Sequence, residues 1–377
     1  MRLYTAELTP PTWRVRTVDS VCVRVTSGGT PSRRVATYFG GDIPWVKTKE
    51  LNDGRITTTE ESLTEEGVAN SAAKLLPADT VLMAMYGATV GQLGLLALPM
   101  TCNQAACAMI VDDQLADSRY LFYQLLNARA QIADLANGAA QQNLNTATIK
   151  GLELPFPSLD EQRAIASLLE AVDKKIESSR RVQLLLWDLL SAEFDRLSIG
   201  AEEVQLRALL ALEYGKSLPA TVRVSGPVPV YGSNGVTGVH DRELISGPGI
   251  IVGRKGSIGE VHWSNGPSFP IDTTFYVVAQ GGYPMLACFF ALRKANLRSK
   301  NSDSAIPGLN RDAALGSRVF APSAQLSHDW AQGRAAFLEY LNHCETEIAR
   351  LSALREVLLP ALLSGRVRFP EVEEVVA

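Results

Sequence analysis

Two long stretches of the chain carry apolar side chains at alternating intervals of three and four residues. This spacing is typical of helices that pack along one stripe as a coiled coil. The stripes run through Ile165, Leu169, Val172, Ile176, Leu186 and Leu190 in the first stretch and through Trp330, Phe337, Leu341, Cys344, Ile348, Leu351, Leu358 and Leu362 in the second. The pattern predicts two long helices, at about residues 160–197 and 325–363, and Ser158 with Glu161 predicts a capping box before the first.

Each predicted helix is longer than a small domain is wide. At about 1.5 Å per residue, it would extend for about 60 Å. We therefore expect the two helices to act as a rod between two domains. The alternative is that each helix packs separately on its own domain.

The chain also contains an internal repeat with a period of about 165 residues. The matching segments occur in the same order and are Leu144-Asn145 with Leu309-Asn310, Phe156-Pro157-Ser158 with Ala321-Pro322-Ser323, residues 87–91 with 256–259, the helical run 121–126 with 286–291, and the strand 104–111 with 273–278. This period far exceeds that of a solenoid. It predicts two duplicated units, each a globular domain followed by a long helix.

Short apolar runs punctuated by Gly, Pro and Asn predict strands in both units, for example at residues 43–46 and 228–231. A helix follows in each unit, with Ser118 as the predicted N-cap of the first and Pro284 in the predicted first turn of the second. Residues 80–111 contain no charged side chain and are long enough for a transmembrane helix. Because glycines and polar residues interrupt this segment, it predicts three short buried strands instead.

The composition narrows the class of protein. Of the 377 residues, 46% are hydrophobic and 20% charged, which is typical of a globular protein and excludes disordered, collagen-like and disulfide-rich classes. The five cysteines form no C-x-x-C pair and the four histidines have no metal-ligand spacing, so we expect reduced thiols in a cytosol and no zinc site. The N-terminal residues lack the apolar core of a signal peptide, and we expect no membrane attachment.

The charge is unevenly distributed. The formal net charge of −4 argues against a nucleic-acid partner for the chain as a whole. However, residues 207–320 have a net charge of +5, whereas residues 1–157, 158–206 and 321–377 have −2, −4 and −3. The basic block gives weak support to a polyanionic partner.

Common catalytic signatures are absent from the sequence. It contains no G-x-x-x-x-G-K-[ST] loop, no G-x-S-x-G elbow, no H-E-x-x-H motif and no Asn/Asp-Pro-Pro-aromatic motif of adenine methyltransferases. Residues 253–259, GRKGSIG, fit no nucleotide-binding glycine pattern. They predict a tight connection between strands whose amides and two basic side chains suit a DNA phosphate.

Polar residues of the kind that read base edges are concentrated in the predicted loops of both units. Arginine pairs with guanine and Asn or Gln with adenine, although most polar loops are simply solvated. The candidates are Thr30, Ser32, Arg33, Arg34, Lys47, Lys49, Tyr86, Gln92, Asn103, Gln104, Gln142 and Asn143 in the first unit and Lys216, Ser217, Ser233, Asn234, Arg254, Lys255, Ser257, Lys300 and Arg311 in the second.

Three stretches of the first half resemble a known family. They are SGGTPS at 27–32 with GDIPWVKTKEL at 41–51, MYGATVG at 85–91 with TCNQA at 101–105, and LPFPSLDEQRAIA at 154–166 leading into VDKKI at 172–176. In this order they resemble the DNA-specificity subunit of type I restriction-modification systems. The second half lacks the G-G-T-P-S and I-P-W-V stretches and has QLSH at 325–328 where L-x-E-Q is expected.

The resemblance implies two target-recognition domains that each read one part of a split, asymmetric DNA site. It implies an α+β fold in which two mixed α/β domains are held apart by two long antiparallel coiled-coil helices, with a pseudo-twofold internal repeat. The expected parts are recognition domains at 1–158 and 200–323, a spacer helix at 159–199, and a second spacer helix with the C-terminal tail at 324–377.

The resemblance further implies a non-catalytic, cytoplasmic subunit that binds double-stranded DNA and no cofactor. Its partners would be two methyltransferase subunits that use S-adenosylmethionine and, in a restriction complex, translocase-nuclease subunits that use ATP and Mg²⁺. One alternative is a stand-alone enzyme whose loops at 30–49 bind a small molecule. Another is the specificity subunit of a different methyltransferase-based phage-defence system.

Overall fold

The computed structural model describes residues 1–3, 10–137, 143–300 and 308–367. The chain divides into two compact units. The first unit comprises Met1–Glu177 and Ala349–Ala377, and the second comprises Ser178–Ile348.

The first unit contains ten strands and four short helices in its described residues, followed by the start of a long helix. In chain order these are β1 (Arg14–Thr17), β2 (Cys22–Ser27), β3 (Phe39–Val46), β4 (Gly54–Ile56), β5 (Ser62–Leu63), α1 (Glu65–Ala69), β6 (Val81–Ala84), β7 (Leu93–Leu96), β8 (Thr101–Cys102), β9 (Ala106–Val111), α2 (Ser118–Asn127), α3 (Arg129–Asn137), α4 (Thr146–Lys150), β10 (Glu153–Phe156) and the long α5 (Leu159–Leu197).

The described strands of the first unit form three sheets, in the orders β2-β9-β6-β7-β4, β5-β3-β8 and β1-β10. Neighbouring strands are antiparallel except for the pairs β4–β7 and β3–β8. The residues of β6 and β7 are all buried, as expected for strands covered on both faces. Residues 80–111 thus form four strands, one more than the sequence predicts.

The second unit has a similar order of elements. They are β11 (Glu203–Gln205), β12 (Leu210–Tyr214), β13 (Val228–Gly232), β14 (Gly235–His240), β15 (Gly249–Gly253), β16 (Val261–Ser264), β17 (Phe269–Pro270), β18 (Thr274–Ala279), α6 (Met285–Lys294), α7 (Arg311–Leu315), β19 (Arg318–Phe320), α8 (Ala324–Gln332) and α9 (Ala335–Leu363), which extends into the first unit. The sheets have the orders β12-β18-β15-β16, β14-β13-β17 and β11-β19.

Equivalent backbone hydrogen bonds in the two units confirm the internal repeat. The Leu144 N–H donates to the Met85 carbonyl at 2.9 Å, and the Leu309 N–H donates to the Arg254 carbonyl at 2.8 Å. In each unit the following asparagine caps a short helix: Asn145 caps α4 and Asn310 caps α7.

The predicted helix starts need two corrections. The N-cap of α2 is Asp117 and not Ser118, because the Asp117 carboxylate accepts the backbone N–H groups of Arg119 and Tyr120 at 2.9 and 3.2 Å. Pro284 is the N-cap of α6 and lies just before its first turn.

Each unit has its own hydrophobic core, and each core includes residues of both long helices. In the first unit, Ile165 and Leu169 of α5 pack with Leu362 of α9. In the second unit, Leu190 of α5 and Leu341 of α9 belong to one core. Both predicted stripes thus contribute residues to the core of each unit.

The start of α5 agrees with the sequence. The Ser158 half of the predicted capping box is present, since the Glu161 N–H donates to the Ser158 hydroxyl at 3.3 Å. Within the first unit, the Glu170 carboxylate accepts hydrogen bonds from Arg55 at 2.9 Å and Arg119 at 3.1 Å. These contacts attach α5 to the α/β body.

The second long helix is interrupted, so the prediction of one continuous helix over residues 325–363 is wrong. Gly333 follows α8 as its C-cap, and a glycine is about 1 kcal/mol less favourable than alanine inside a helix. At the break, Arg334 donates two hydrogen bonds to the Glu193 carboxylate, at 2.7 and 2.8 Å. This contact with α5 holds the interrupted segment.

The contacts between α5 and α9 in the second unit run antiparallel. The Ser179 hydroxyl donates to the Glu347 carboxylate at 2.6 Å, and the Gln183 amide donates to the Leu341 carbonyl at 3.4 Å. Ser179 and Gln183 lie between the stripe residues Ile176 and Leu186, and both thus have polar partners on the facing helix. The separation of the two domains by a rod and the exact domain boundaries stay predictions.

None of the helices in the described part of the chain combines the length and the hydrophobicity that crossing a bilayer requires.

Candidate nucleic-acid interface

Three loops of the first unit meet at one edge of its sheets. Gly28 and Gly29 follow β2, and their N–H groups donate to the carbonyls of Ala106 at 3.1 Å and Cys102 at 2.9 Å. The Asn103 N–H donates to the Val46 carbonyl at 2.9 Å. The candidate residues after β2, β3 and β8 therefore lie side by side.

The glycine pair is required by this close approach of backbones. A Cβ atom at Gly28 would lie 2.2 Å from the Cys102 carbonyl oxygen, and one at Gly29 would lie 2.1 Å from the Ala73 nitrogen. The buried Trp45 indole N–H donates to the Gly29 carbonyl at 3.0 Å and attaches the loop to β3. The candidate Thr30 follows directly, and its hydroxyl donates to the side-chain oxygen of Gln104.

A fourth loop joins the same edge through β6. The Met85 N–H donates to the Ala105 carbonyl at 2.9 Å, and Tyr86 forms an isolated bridge with Asn143. Both Tyr86 and Asn143 are exposed, whereas Gln92 is half-buried where β7 begins. The structure thus brings together most first-unit candidates, and Gln142 lies outside the described residues.

Three of the four basic candidates of the first unit are paired with two glutamates that the sequence analysis missed. Arg33 lies 2.5 Å from Glu61, Lys47 lies 2.9 Å from Glu60 and 2.7 Å from Glu61, and Lys49 lies 2.6 Å from Glu60. Hydrogen bonds from Arg33 and Lys47 lower the pKa of Glu61 to about 2, so the network is ionised at neutral pH. No sequence spacing indicates these pairs.

Arg33 also has an aromatic support. Its guanidinium lies 4.5 Å from the Phe39 ring centre and 5.1 Å from that of Trp45. Its neighbours Ser32 and Arg34 are exposed, and no hydrogen bond or ion pair to Arg34 is found in the described residues. Arg34 is therefore the first-unit candidate cation that is open to a phosphate.

The second unit builds the same edge with different side chains. The Gly215 N–H donates to the Thr274 carbonyl and the Lys216 N–H to the Pro270 carbonyl, both at 3.1 Å. A Cβ atom at Gly215 would lie 2.1 Å from the Ile271 carbonyl oxygen. Lys216 and the following candidate, Ser217, thus occupy the places of Gly29 and Thr30, and both are exposed.

Arg254 is held in a defined position at this edge. Its backbone N–H donates to the Thr273 carbonyl at 2.9 Å, and its guanidinium donates to the Asp272 carbonyl at 2.6 Å. The guanidinium lies 5.3 Å from the Tyr214 ring centre, and that of Arg311 lies 5.5 Å from the same ring. Tyr214, which the sequence analysis missed, therefore brings two candidate arginines together.

The remaining loop residues of the second unit differ in exposure. Ser233 is buried and its hydroxyl donates to the Thr273 carbonyl at 2.7 Å, so this side chain holds the loop. The Ser257 hydroxyl donates to the exposed Asn234 side chain at 3.4 Å. Lys255 is exposed on the glycine-rich turn, as the sequence predicts for a basic strand connection.

The two edges differ in how many of their basic side chains form ion pairs with carboxylates. Within the described ranges, no carboxylate forms an ion pair with the basic candidates of the second unit, which are Lys216, Arg254, Lys255, Lys300 and Arg311. Unpaired Lys and Arg side chains suit phosphate oxygens, and positioned arginines and amides suit base edges. The second unit therefore offers more positive charge to a polyanion than the first.

These features define a duplicated two-unit protein with one edge of polar and basic loops in each unit. A family model described as "Type I restriction modification DNA specificity domain" matches residues 10–186. The first part of the chain therefore matches the DNA-specificity domain of type I restriction-modification systems, in the same residues whose motifs resemble that family.

Two curated specificity subunits are similar to about half of the chain. The chain is 30% identical over 182 residues to the MjaIX type I restriction enzyme specificity subunit of Methanocaldococcus jannaschii. The aligned residues make up 47% of this chain and 41% of that protein. It is 29% identical over 195 residues to the HindI specificity subunit of Haemophilus influenzae, 49% of this chain and 42% of that protein. The chain thus spans about two fifths of the length of these relatives.

Other similarities cover most of the chain. A putative type I specificity subunit of Mycoplasma genitalium is 24% identical over 347 residues, which is 82% of this chain and 86% of that protein. The crystal structure of a type I restriction-modification S subunit from M. genitalium matches with a TM-score of 0.65 at 20% identity, covering 93% of this chain and 96% of that chain. This likeness shows that the two chains share a fold.

Proposed function

We propose that this chain is a non-catalytic subunit that recognises a bipartite, asymmetric sequence in double-stranded DNA and positions methyltransferase subunits on it. The observation that carries the proposal is the duplicated loop edge, which the same backbone hydrogen bonds build after β2 in the first unit and after β12 in the second. The loop side chains differ between the units, so the two edges would read different bases. A DNA target with two unlike parts follows from this arrangement.

The proposal includes the partners that the family resemblance implies. Two methyltransferase subunits would bind S-adenosylmethionine, and translocase-nuclease subunits that use ATP and Mg²⁺ would join in a restriction complex. The chain would act in the cytoplasm, where DNA and these partners are present. The names of its relatives, all specificity subunits, favour this function over a stand-alone enzyme.

The function is tested by sequencing the methylated bases of a host with and without the gene, with its methyltransferase partner present. We expect a split sequence to be methylated only when the gene is present. The purified chain alone, supplied with S-adenosylmethionine, should not methylate DNA. An unchanged methylation pattern, or methyl transfer by the isolated chain, would contradict the proposal.

The free lysines of the second unit give a direct prediction. Replacing Lys216 and Lys255 by Ala should weaken binding to all duplexes alike, by roughly ten- to thirtyfold near 0.15 M salt, because two phosphate contacts are lost. The slope of log affinity against log salt concentration should become less steep by about 1.8. Both quantities can be measured by fluorescence anisotropy with the target duplex and a random duplex.

The matched control removes the same charge outside the loop edge. Lys294 on α6 is paired with Asp195, and Arg318 on β19 is paired with Glu203. The K294A/R318A variant should therefore keep the wild-type slope. If it weakens binding as much as K216A/K255A does, the two lysines are not specific phosphate contacts.

A further inference from the structure

Arg254 at the loop edge of the second unit has its side chain held in one orientation. We propose that its guanidinium reads a guanine in the half of the DNA target that the second unit recognises, which makes Arg254 a specificity-determining residue. The proposal rests on the DNA-binding function proposed above and names one base of the target. Tyr214 acts as a positioning residue for the guanidinium.

The backbone of Arg254 is fixed on both sides. Its N–H donates to the Thr273 carbonyl at 2.9 Å, and its carbonyl accepts the Leu309 N–H at 2.8 Å. Arg254 directly follows β15, whose last residue, Gly253, pairs with Thr274 of β18. The sheet therefore sets the point from which the side chain extends.

The guanidinium of Arg254 is fixed as well. Its Nη2 atom donates to the Asp272 carbonyl at 2.6 Å, and its Nε atom is buried. Its central carbon lies 5.3 Å from the Tyr214 ring centre and 5.8 Å from that of the buried Phe275. Because a cation is attracted to the face of an aromatic ring, these contacts restrain the orientation of the guanidinium.

The outer end of this guanidinium keeps unused donors. Nη2 carries two hydrogen atoms, of which the Asp272 carbonyl takes one, and Nη1 makes no hydrogen bond to any described residue. Within the same residues, no carboxylate forms an ion pair with Arg254. Nη1 and Nη2 can therefore donate side by side to two acceptors, which is the bidentate geometry of an arginine.

Guanine is the base whose edge fits such a pair of donors. In the major groove guanine presents two acceptors, O6 and N7, whereas thymine presents one acceptor, and adenine and cytosine present N–H donors. Arg311, whose guanidinium lies 5.5 Å from the same Tyr214 ring, adds a second cation. The N–H donors of adenine or cytosine would face guanidinium groups, which have no acceptor. The wrong base is therefore penalised.

A phosphate contact would not need this construction. Phosphate oxygens are alike at every base pair, and the exposed Lys216 and Lys255 can meet them without a fixed orientation. The repeat gives a second reason. Met85 occupies the place of Arg254 in the first unit, since its carbonyl accepts the Leu144 N–H in the same way. A phosphate contact common to both edges would be kept in both units, whereas a base contact differs when the half-sites differ.

The first test changes the DNA and leaves the chain as it is. The full-length chain with its methyltransferase is bound to the mapped target duplex, in which each guanine in turn is replaced by 7-deazaguanine. This base lacks the N7 acceptor and keeps its base pairing and its phosphate. At the guanine that Arg254 reads, we expect binding to weaken by roughly fivefold to tenfold, because half of a bidentate contact is lost. That guanine should lie in the half that changes when residues 200–320 are exchanged.

Arg254→Met identifies the guanine in question. The variant should bind the intact target about 5- to 150-fold more weakly, the range that one bidentate contact covers. At the guanine that Arg254 reads, 7-deazaguanine should cause no further loss in the variant, because the donors that need N7 are gone. At every other guanine the replacement should have its wild-type effect. Fluorescence anisotropy gives all of these affinities.

Arg293→Met is the matched control. Arg293 is an exposed residue in the last turn of α6, and its guanidinium lies 5.7 Å from the Phe289 ring centre. The control therefore removes the same charge and the same kind of ring contact outside the loop edge. It should weaken target and random duplexes equally and slightly, and keep the wild-type response to 7-deazaguanine at every position.

Tyr214 is tested by a pair of variants. Tyr214→Leu removes the ring and should weaken binding to the target by about two- to fivefold, the contribution of an exposed cation–π contact. The response to 7-deazaguanine should shrink at the guanine that Arg254 reads and nowhere else. Tyr214→Phe keeps the ring and should restore the wild-type response. If Tyr214→Phe behaves like Tyr214→Leu, the ring does not position the guanidinium.

The outcomes separate this inference from the proposed function. If the wild-type chain with its methyltransferase does not prefer the mapped target to a random duplex, the proposed function fails. If it prefers the target but Arg254→Met weakens both duplexes equally, or responds to 7-deazaguanine like the wild type at every position, Arg254 does not read a guanine. Thermal unfolding shows whether Arg254→Met is folded. If it is not, the wild-type chain decides, since a half-site in which no 7-deazaguanine weakens binding overturns the inference.

Discussion

Exchanging residues 1–157 for the matching segment of a relative with another specificity should change one half of the methylated sequence and leave the other half intact. Each unit has a separate hydrophobic core, so the loops of one edge are supported by their own unit. A wrong base pair typically costs about 1–3 kcal/mol, so a replaced set of base contacts should shift the preference for that half by several orders of magnitude.

The structure defines what such an exchange must preserve. Glu170 of α5 stays in the exchanged chain and accepts hydrogen bonds from Arg55 and Arg119 of the removed segment. The donor segment should therefore carry arginines at both places, or the partly buried carboxylate loses its partners. A donor segment without these arginines would lower the stability of the chimaera and not its specificity. Thermal unfolding of the chimaera distinguishes the two effects.

The sequence that each chimaera recognises is determined by mapping methylated bases with the methyltransferase partner present. The reciprocal exchange of residues 200–320 is the matched control and should change the other half alone. If both halves change in either chimaera, the two units do not read DNA independently. In that case the duplicated loop edges would not be separate recognition sites.

Gly28→Ala should lower the free energy of unfolding of the first unit by about 3 kcal/mol, near the upper end of the cost of overpacking. The added Cβ atom would lie 2.2 Å from the Cys102 carbonyl oxygen and 2.3 Å from that of Asn103. Both are backbone atoms of the strand β8 and its following loop, so neither can move aside as a side chain would. Recognition by the first unit should be lost together with the loop geometry.

Gly54→Ala is the matched control, because the nearest atom to its added Cβ is a side-chain oxygen of Asn52 at 3.5 Å. Urea denaturation followed by circular dichroism gives the free energies, and methylation mapping gives the recognition. In the second unit, Gly215→Ala should have the same effect, with Gly266→Ala as its control, since no atom lies within 4 Å of a Cβ there. A Gly28→Ala variant as stable as Gly54→Ala would show that the loop relaxes at little cost.

Local patterns predicted the long elements well. The stripe of α5 needs only the spacing of apolar residues, and its cap needs only Ser158 before it, so both could be found without a structure. The break in the second helix could not be found in the same way, because the spacing of apolar residues continues past Gly333, and the contact of Arg334 with Glu193 at the break joins residues far apart in the sequence. A single glycine is tolerated in many helices, and only the packed partner decides whether the helix continues.

The sequence by itself determined the repeat, the family resemblance of the first half and the set of loops that form each edge. These features depend on the order and local spacing of residues, which persist between the units where individual side chains differ. The tertiary structure alone decided which cations of those loops are available. Arg33 and Glu61 are 28 residues apart, and Lys47 and Glu60 are 13 apart. They meet because β3 pairs with β5, next to the segment that carries the glutamates. Charge pairing over such distances follows from strand pairing, which depends on the whole core and not on the residues that form the ion pairs.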